Sequence, residues 1–92
     1  MKFEWDQEKN LINQKKHKIS FETAAYVFQD KNYIEMYDFE HSTEEDRYIA
    51  IGCVGEVLFV VFTERKENIW LISARLATES ERRLYYDQNI YY

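Results

Sequence analysis

A chain of 92 residues has the size of a single domain, and one domain over residues 1–92 is expected. Its 46% hydrophobic and 17% aromatic residues, set against 32% charged ones, exclude a disordered chain, and the lack of an apolar run of about 18 residues excludes a transmembrane helix. A net charge of −5 argues, at face value, against a nucleic-acid partner.

The elements follow in chain order. Residues 2–5 are predicted to form a short strand with Phe3 and Trp5 on one face. Asp6 is an N-cap for a helix running to about Lys16, because its carboxylate accepts the orphan amide hydrogens of the first turn. Ser20 caps a second helix, where Phe21, Ala24, Ala25 and Phe28 form the apolar stripe of an amphipathic helix. Residues 33–39 alternate as a strand, and 41–46 form a polar loop. Residues 47–52 read as a strand ending in a turn at Gly52–Gly55, which favours a hairpin. Residues 57–63 are an almost unbroken β-branched and aromatic run, expected of a central strand covered on both faces. A polar turn at 64–68 leads to a strand at 69–74. Thr78 starts a last helix with Glu79 and Glu81 early in it, where the helix dipole favours negative charge. The order β-α-α-β-β-β-β-α predicts an α+β fold, an antiparallel meander packed by helices.

Charge is unevenly spread along these elements. Between residues 21 and 46, Glu22, Asp30, Glu35, Asp38, Glu40, Glu44, Glu45 and Asp46 face Lys31 alone. Before them, Lys2, Lys9, Lys15, Lys16 and Lys18 outnumber Glu4, Asp6 and Glu8. A local positive site is therefore permitted at either end of the chain. Cys53 has no second cysteine to pair with, and His17 and His41 lack metal-ligand spacing, so no metal site and no cofactor are expected. The N-terminus turns polar at once, so a cytoplasmic protein is expected.

Several strings then point to a family. Phe3-Glu4-Trp5-Asp6, Asn13 with Lys16-His17, and Ser20-Phe21-Glu22-x-Ala24 open the pattern. Arg47-Tyr48-Ile49-Ala50-Ile51-Gly52 continues it. Thr63-Glu64-Arg65, Leu71-Ile72-Ser73-Ala74-Arg75-x-Ala77 and Glu81-Arg82-x-x-Tyr85 close it. In order and spacing, residues 3 to about 86 resemble the BrnT toxins. The resemblance implies a RelE-like fold and a metal-independent ribonuclease of a type II toxin–antitoxin pair that halts translation. It also implies a BrnA antitoxin partner, with contact to operon DNA made through that partner. Lys18 stands where the family usually has glycine, and Trp70 and Leu76 stand where it often has basic residues. Loss of two phosphate-facing charges supports an alternative, a catalytically weak interaction protein that binds an antitoxin and takes part in operon control.

Metal-free RNA cleavage needs a base for the 2′-hydroxyl, a cation for the developing phosphorane and an acid for the leaving oxygen. Arg65 and Arg75, each ending a strand, read as a phosphate clamp or as partners in structural salt bridges. Glu81 reads as a general base or as one half of a surface ion pair within the last helix, and Arg82 reads as a further candidate for the clamp. His17 reads as a proton shuttle or a helix-end residue, since histidine is the side chain that titrates nearest neutrality. Lys16 beside it is a backbone contact for RNA. Tyr48 and Tyr85 read as base-stacking rings, as proton donors or as buried packing.

Overall fold

The computed structural model describes residues 2–88. Its elements keep the expected order: β1 (Phe3–Glu4), α1 (Gln7–His17), α2 (Phe21–Ala25), β2 (Ile34–Tyr37), β3 (Tyr48–Val54), β4 (Glu56–Arg65), β5 (Asn68–Leu76) and α3 (Glu79–Asp87). A 3₁₀ turn at Tyr26–Gln29 prolongs α2. Asp6 caps α1 by accepting the Glu8 and Lys9 amides, Ser20 caps α2 through the Thr23 amide, and Thr78 caps α3 through Glu81. Lys18 ends α1 at φ 63, in the left-handed region where glycine is free of strain. The departure at Lys18 thus falls on the left-handed C-cap of α1.

The sheet order is β1-β5-β4-β3-β2. β2 to β5 form an antiparallel meander, but β1 lies parallel to β5 with Phe3 opposite Ile69, so the sheet is mixed rather than wholly antiparallel. The cause is the helix layer: α1 and α2 carry the chain from β1 at one edge to β2 at the other. Gly52 also departs from expectation. It lies inside β3, and a Cβ there would meet Val27 Cγ1 at 2.8 Å and Tyr33 Cβ at 2.9 Å, so it is glycine because the 3₁₀ turn approaches so closely. Gly55 alone makes the β3–β4 turn, at φ 75. Lys66 and Glu67, both at positive φ, make the β4–β5 turn as a two-residue hairpin loop.

One face of the sheet is closed. Ala50, Leu58, Val60, Phe62, Ile69, Leu71 and Ala74 pack there against Ile19, Phe21, Ala24 and Val27. Phe28 joins them edge-on to Phe62, with ring centroids 5.1 Å apart. Two buried asparagines bind α1 to this assembly. Asn13 donates to the carbonyls of Ile19 and Ala74 and accepts the Ala74 amide hydrogen, completing the edge of β5 beyond its short pairing with β1. Asn10 accepts the Phe21 amide hydrogen and donates to Glu22. Among the described residues, the other face is covered where α3 seats Tyr85 and Ala77 against Ile51 and Val57. β4 is therefore covered on one face and only partly on the other, unlike the strand expected to be buried on both.

Candidate active site

Past the end of α3, the uncovered face forms a groove. A hollow of about 370 Å³ has Ile49, Phe59, Val61 and Ile72 as apolar lining and Ser73, Arg75, Arg47, His41, Asp38 and Glu40 as polar lining. A register slip places Ser73 opposite Val61 and Leu71 opposite Phe62, leaving Ile72 as the extra residue of a bulge. The bulge lets consecutive side chains, Ile72 and Ser73, both line the hollow. An adjoining hollow shares His41 and Arg47 and adds Thr43, Glu44, Glu45 and Arg65. Arg75, Arg47 and Arg65 thus succeed one another along one surface.

Arg75 is set in place by two partners. Its guanidinium lies 3.9 Å above the Phe59 ring, the residue opposite it on β4. Its two terminal nitrogens donate to the two Glu81 oxygens at 2.8 and 3.0 Å, and Nη1 also reaches the Leu76 carbonyl. Of the five guanidinium hydrogens, three are used among the described residues, leaving donors free for a phosphate. Glu81 is more fully engaged. The Arg75 guanidinium holds its carboxyl below the usual range, with the Thr78 amide hydrogen adding to the effect against burial. Both its oxygens serve as acceptors for Arg75, and one also completes the capping box of α3. This geometry fits an orienting group better than a base.

Arg65 lies 4.4 Å over the Trp70 ring and donates to both Glu45 oxygens at 3.3 Å. Trp70 is its platform. Arg47 is held through its backbone. Its amide hydrogen goes to Ser42 Oγ, that hydroxyl donates to the Asp38 carbonyl, and the Asp38 amide hydrogen goes to the Arg47 carbonyl. Thr63 donates its hydroxyl to the Asp46 carbonyl, pinning the same loop to β4. His41 Nδ1 lies 2.9 and 3.2 Å from the two Asp38 oxygens.

The fold brings Arg65 and Arg75 to one groove, with Glu81 behind Arg75. The other sequence candidates lie elsewhere. Tyr48 is on the closed face, stacked on Phe62 at 5.6 Å, and burial followed by the nearby Asp46 and Glu64 pushes its phenol up. Tyr85 is buried at the seam of α3 and donates to Asp30; burial, then that bond, raises it well above the ordinary phenol value. Arg82 donates to the Ala77 carbonyl and borders a separate hollow with Leu76 and Tyr86. Lys16 and His17 end α1 and line neither hollow. Sequence reasoning missed His41, Arg47 and Ser73. Arg47 opens one of the family strings and Ser73 lies inside another, while His41 offered only its place in the polar loop.

Among the described residues no three His, Cys, Asp or Glu side chains are grouped so as to hold a metal ion. No helix among them is long and apolar enough to cross a membrane. A family model described as "Ribonuclease toxin, BrnT, of type II toxin-antitoxin system" matches residues 5–81. No curated protein matches the chain.

Proposed function

We propose that this chain, which belongs to the BrnT family of ribonuclease toxins of type II toxin–antitoxin systems, is a metal-independent endoribonuclease that halts translation in the cytoplasm. The family indicates an antitoxin partner; we take that partner to be BrnA-like, contacting operon DNA on the complex's behalf, and the fold to be RelE-like. One observation carries the reading: Arg75, Arg47 and Arg65 follow one another along two adjoining hollows, the first of which is lined by Ile49, Phe59, Val61 and Ile72. Such a surface supports a phosphate backbone with planar, permanently charged donors. Arg75 is the principal phosphate donor, because Phe59 and Glu81 fix its plane before substrate arrives. Arg65 binds a neighbouring phosphate. Glu81 acts through Arg75.

In the reaction the substrate's 2′-oxygen attacks the adjacent phosphorus and the 5′-oxygen departs, leaving a 2′,3′-cyclic phosphate. Arginine donors stabilise the charge gathering on the non-bridging oxygens, an effect of about 10²–10³ in rate per well-placed donor. The acidic rim favours a second reading. Glu45 and Glu81 neutralise Arg65 and Arg75, and Asp38 and Glu40 line the same surface, as in an interaction protein that keeps its partner-binding role without cleavage.

Regulated induction in a bacterial host separates the two. Growth arrest with RNA loss, relieved by the Arg65→Ala/Arg75→Ala double variant at equal expression, supports the ribonuclease. Retention of cleavage by purified protein in the presence of a chelator supports metal independence. Intact RNA and normal growth from well-expressed, folded protein overturn the ribonuclease reading in favour of the interaction protein.

A further inference from the structure

We propose that His41, oriented by Asp38, is the group that takes the 2′-hydroxyl proton during RNA cleavage, an assignment that rests on the ribonuclease reading above. Position is the first ground. His41 is shared by the two adjoining hollows, one containing Arg75 and the other Arg65, so a backbone lying along the arginines passes its ring.

The pairing with Asp38 is the second ground. With the Asp38 carboxylate as acceptor, the neutral imidazole carries its hydrogen on Nδ1 and presents Nε2 as the acceptor. The exposures are unequal: the histidine side chain is 62% exposed and the aspartate 12%. An incidental surface ion pair leaves both partners in water. Here the orienting group is sheltered and the reactive one faces outward. Asp38 is itself fixed, since Ser42 and the Arg47 backbone hold its main chain from both sides. The knot that places Arg47 therefore places the histidine's partner as well.

The third ground is the state of the rivals. Glu81 has both oxygens occupied by Arg75, Tyr85 is buried on Asp30, and His17 borders neither hollow. The charged groups around His41 are Asp38 and Glu40 on its own segment, Glu44, Glu45 and Arg47 later in the loop, Arg65 on β4 and Arg75 on β5. As the O2′–P bond forms and the P–O5′ bond breaks, the 2′-hydroxyl proton passes to Nε2. Water protonates the leaving 5′-oxygen, and the imidazolium returns its proton to the hydroxide so formed.

Purified protein with total bacterial RNA, with and without ribosomes, tests this through His41→Ala, His41→Gln, Asp38→Asn and Arg75→Ala. Loss of a general base predicts a rate about 10²–10⁴-fold lower in both His41 variants, with unchanged thermal stability, loss of the acid limb of the rate–pH profile and partial rescue by added imidazole. Asp38→Asn is expected to lower the rate and shift that limb. Wild-type protein that cleaves while His41→Ala and His41→Gln stay within about threefold of it, acid limb intact, overturns the assignment and leaves the ribonuclease standing. Wild-type protein that leaves RNA whole under both conditions overturns the ribonuclease and the assignment together.

Discussion

Along β4, neighbouring side chains enter two different environments. Leu58, Val60 and Phe62 point into the helix layer and are 3% exposed or less. Phe59 and Val61, each one residue away, are half-buried and line the arginine groove. The strand's composition does not distinguish these faces; what lands on each one does. α3 has nine residues, about 13 Å of helix at 1.5 Å per residue. That length closes the Ile51–Val57 end of the open face and leaves the rest as a floor beneath Arg75. A face left unclosed keeps apolar surface accessible beside charge, which is what recognition of a phosphate-bearing chain requires.

The sharpest way to break this contrast is to truncate one ring on each face. Phe62→Ala removes a buried ring from the closed face and is expected to cost about 3–5 kcal/mol in urea denaturation. That is a large share of the roughly 5–14 kcal/mol typical of a domain this size. Phe59→Ala is expected to cost less than half as much and to weaken cleavage instead, because Arg75 loses the ring beneath it. Equal stability losses at the two positions would mean that the open face is core after all.

Next in size is the seam between α1 and β5. Asn13→Ala removes three hydrogen bonds and strands the Ile19 and Ala74 backbone groups, for an expected loss of about 2–4 kcal/mol. Asn13→Asp is expected to be worse, since a carboxylate would face two carbonyl oxygens. If Asp is tolerated as well as asparagine, water rather than Asn13 completes that edge.

On the open face, Glu81→Gln separates two roles by magnitude. As an orienting group for Arg75, its loss is expected to lower cleavage about tenfold with the pH profile unchanged. As a general base it would cost about 10²–10⁴ and take the acid limb with it.

Much of the fold was legible because it is local. Asp6, Ser20 and Thr78 announce helix starts, and Phe21, Ala24 and Phe28 repeat at helical spacing. The pattern Thr78-x-x-Glu81 is itself the signature of a capping box, so the structural duty of Glu81 was readable. What escaped depends on partners distant in sequence. Asn13 meets Ala74 61 residues on, and Tyr85 meets Asp30 55 residues back. The parallel placement of β1 depends on where the helix layer delivers the chain. Within the site, Arg65 and Arg75 were visible as cations ending strands. His41 was hidden because nothing in an acidic loop's sequence shows that Asp38 pairs with it, or that the knot through Ser42 holds that partner in place.

The smallest expected effect lies at the seam where α3 closes part of the open face, and its pH dependence identifies it. Asp30 accepts the Tyr85 hydroxyl and the Cys53 and Asn32 amide hydrogens. Burial alone would raise its carboxyl, but these bonds outweigh burial and hold it below its ordinary 3.8. Tyr85 is displaced oppositely, above its ordinary 10.0. For the carboxyl, the stabilisation is present above about pH 4 and is lost as pH falls through the folded-state value. For the phenol, it is present below about pH 10 and is lost as pH rises through the folded-state value. Tyr85→Phe keeps the ring and deletes the bond, so it is expected to cost about 1 kcal/mol near neutrality. Its melting temperature should fall less steeply than the wild type's at both extremes of pH. Tyr33 and Tyr48 are also raised, so an alkaline decline persists in the variant with a shallower slope. Superimposable wild-type and variant curves above pH 10 would mean that the Tyr85–Asp30 bond does not hold α3 against the sheet, and that packing on Ile51 and Val57 alone sets the boundary of the groove.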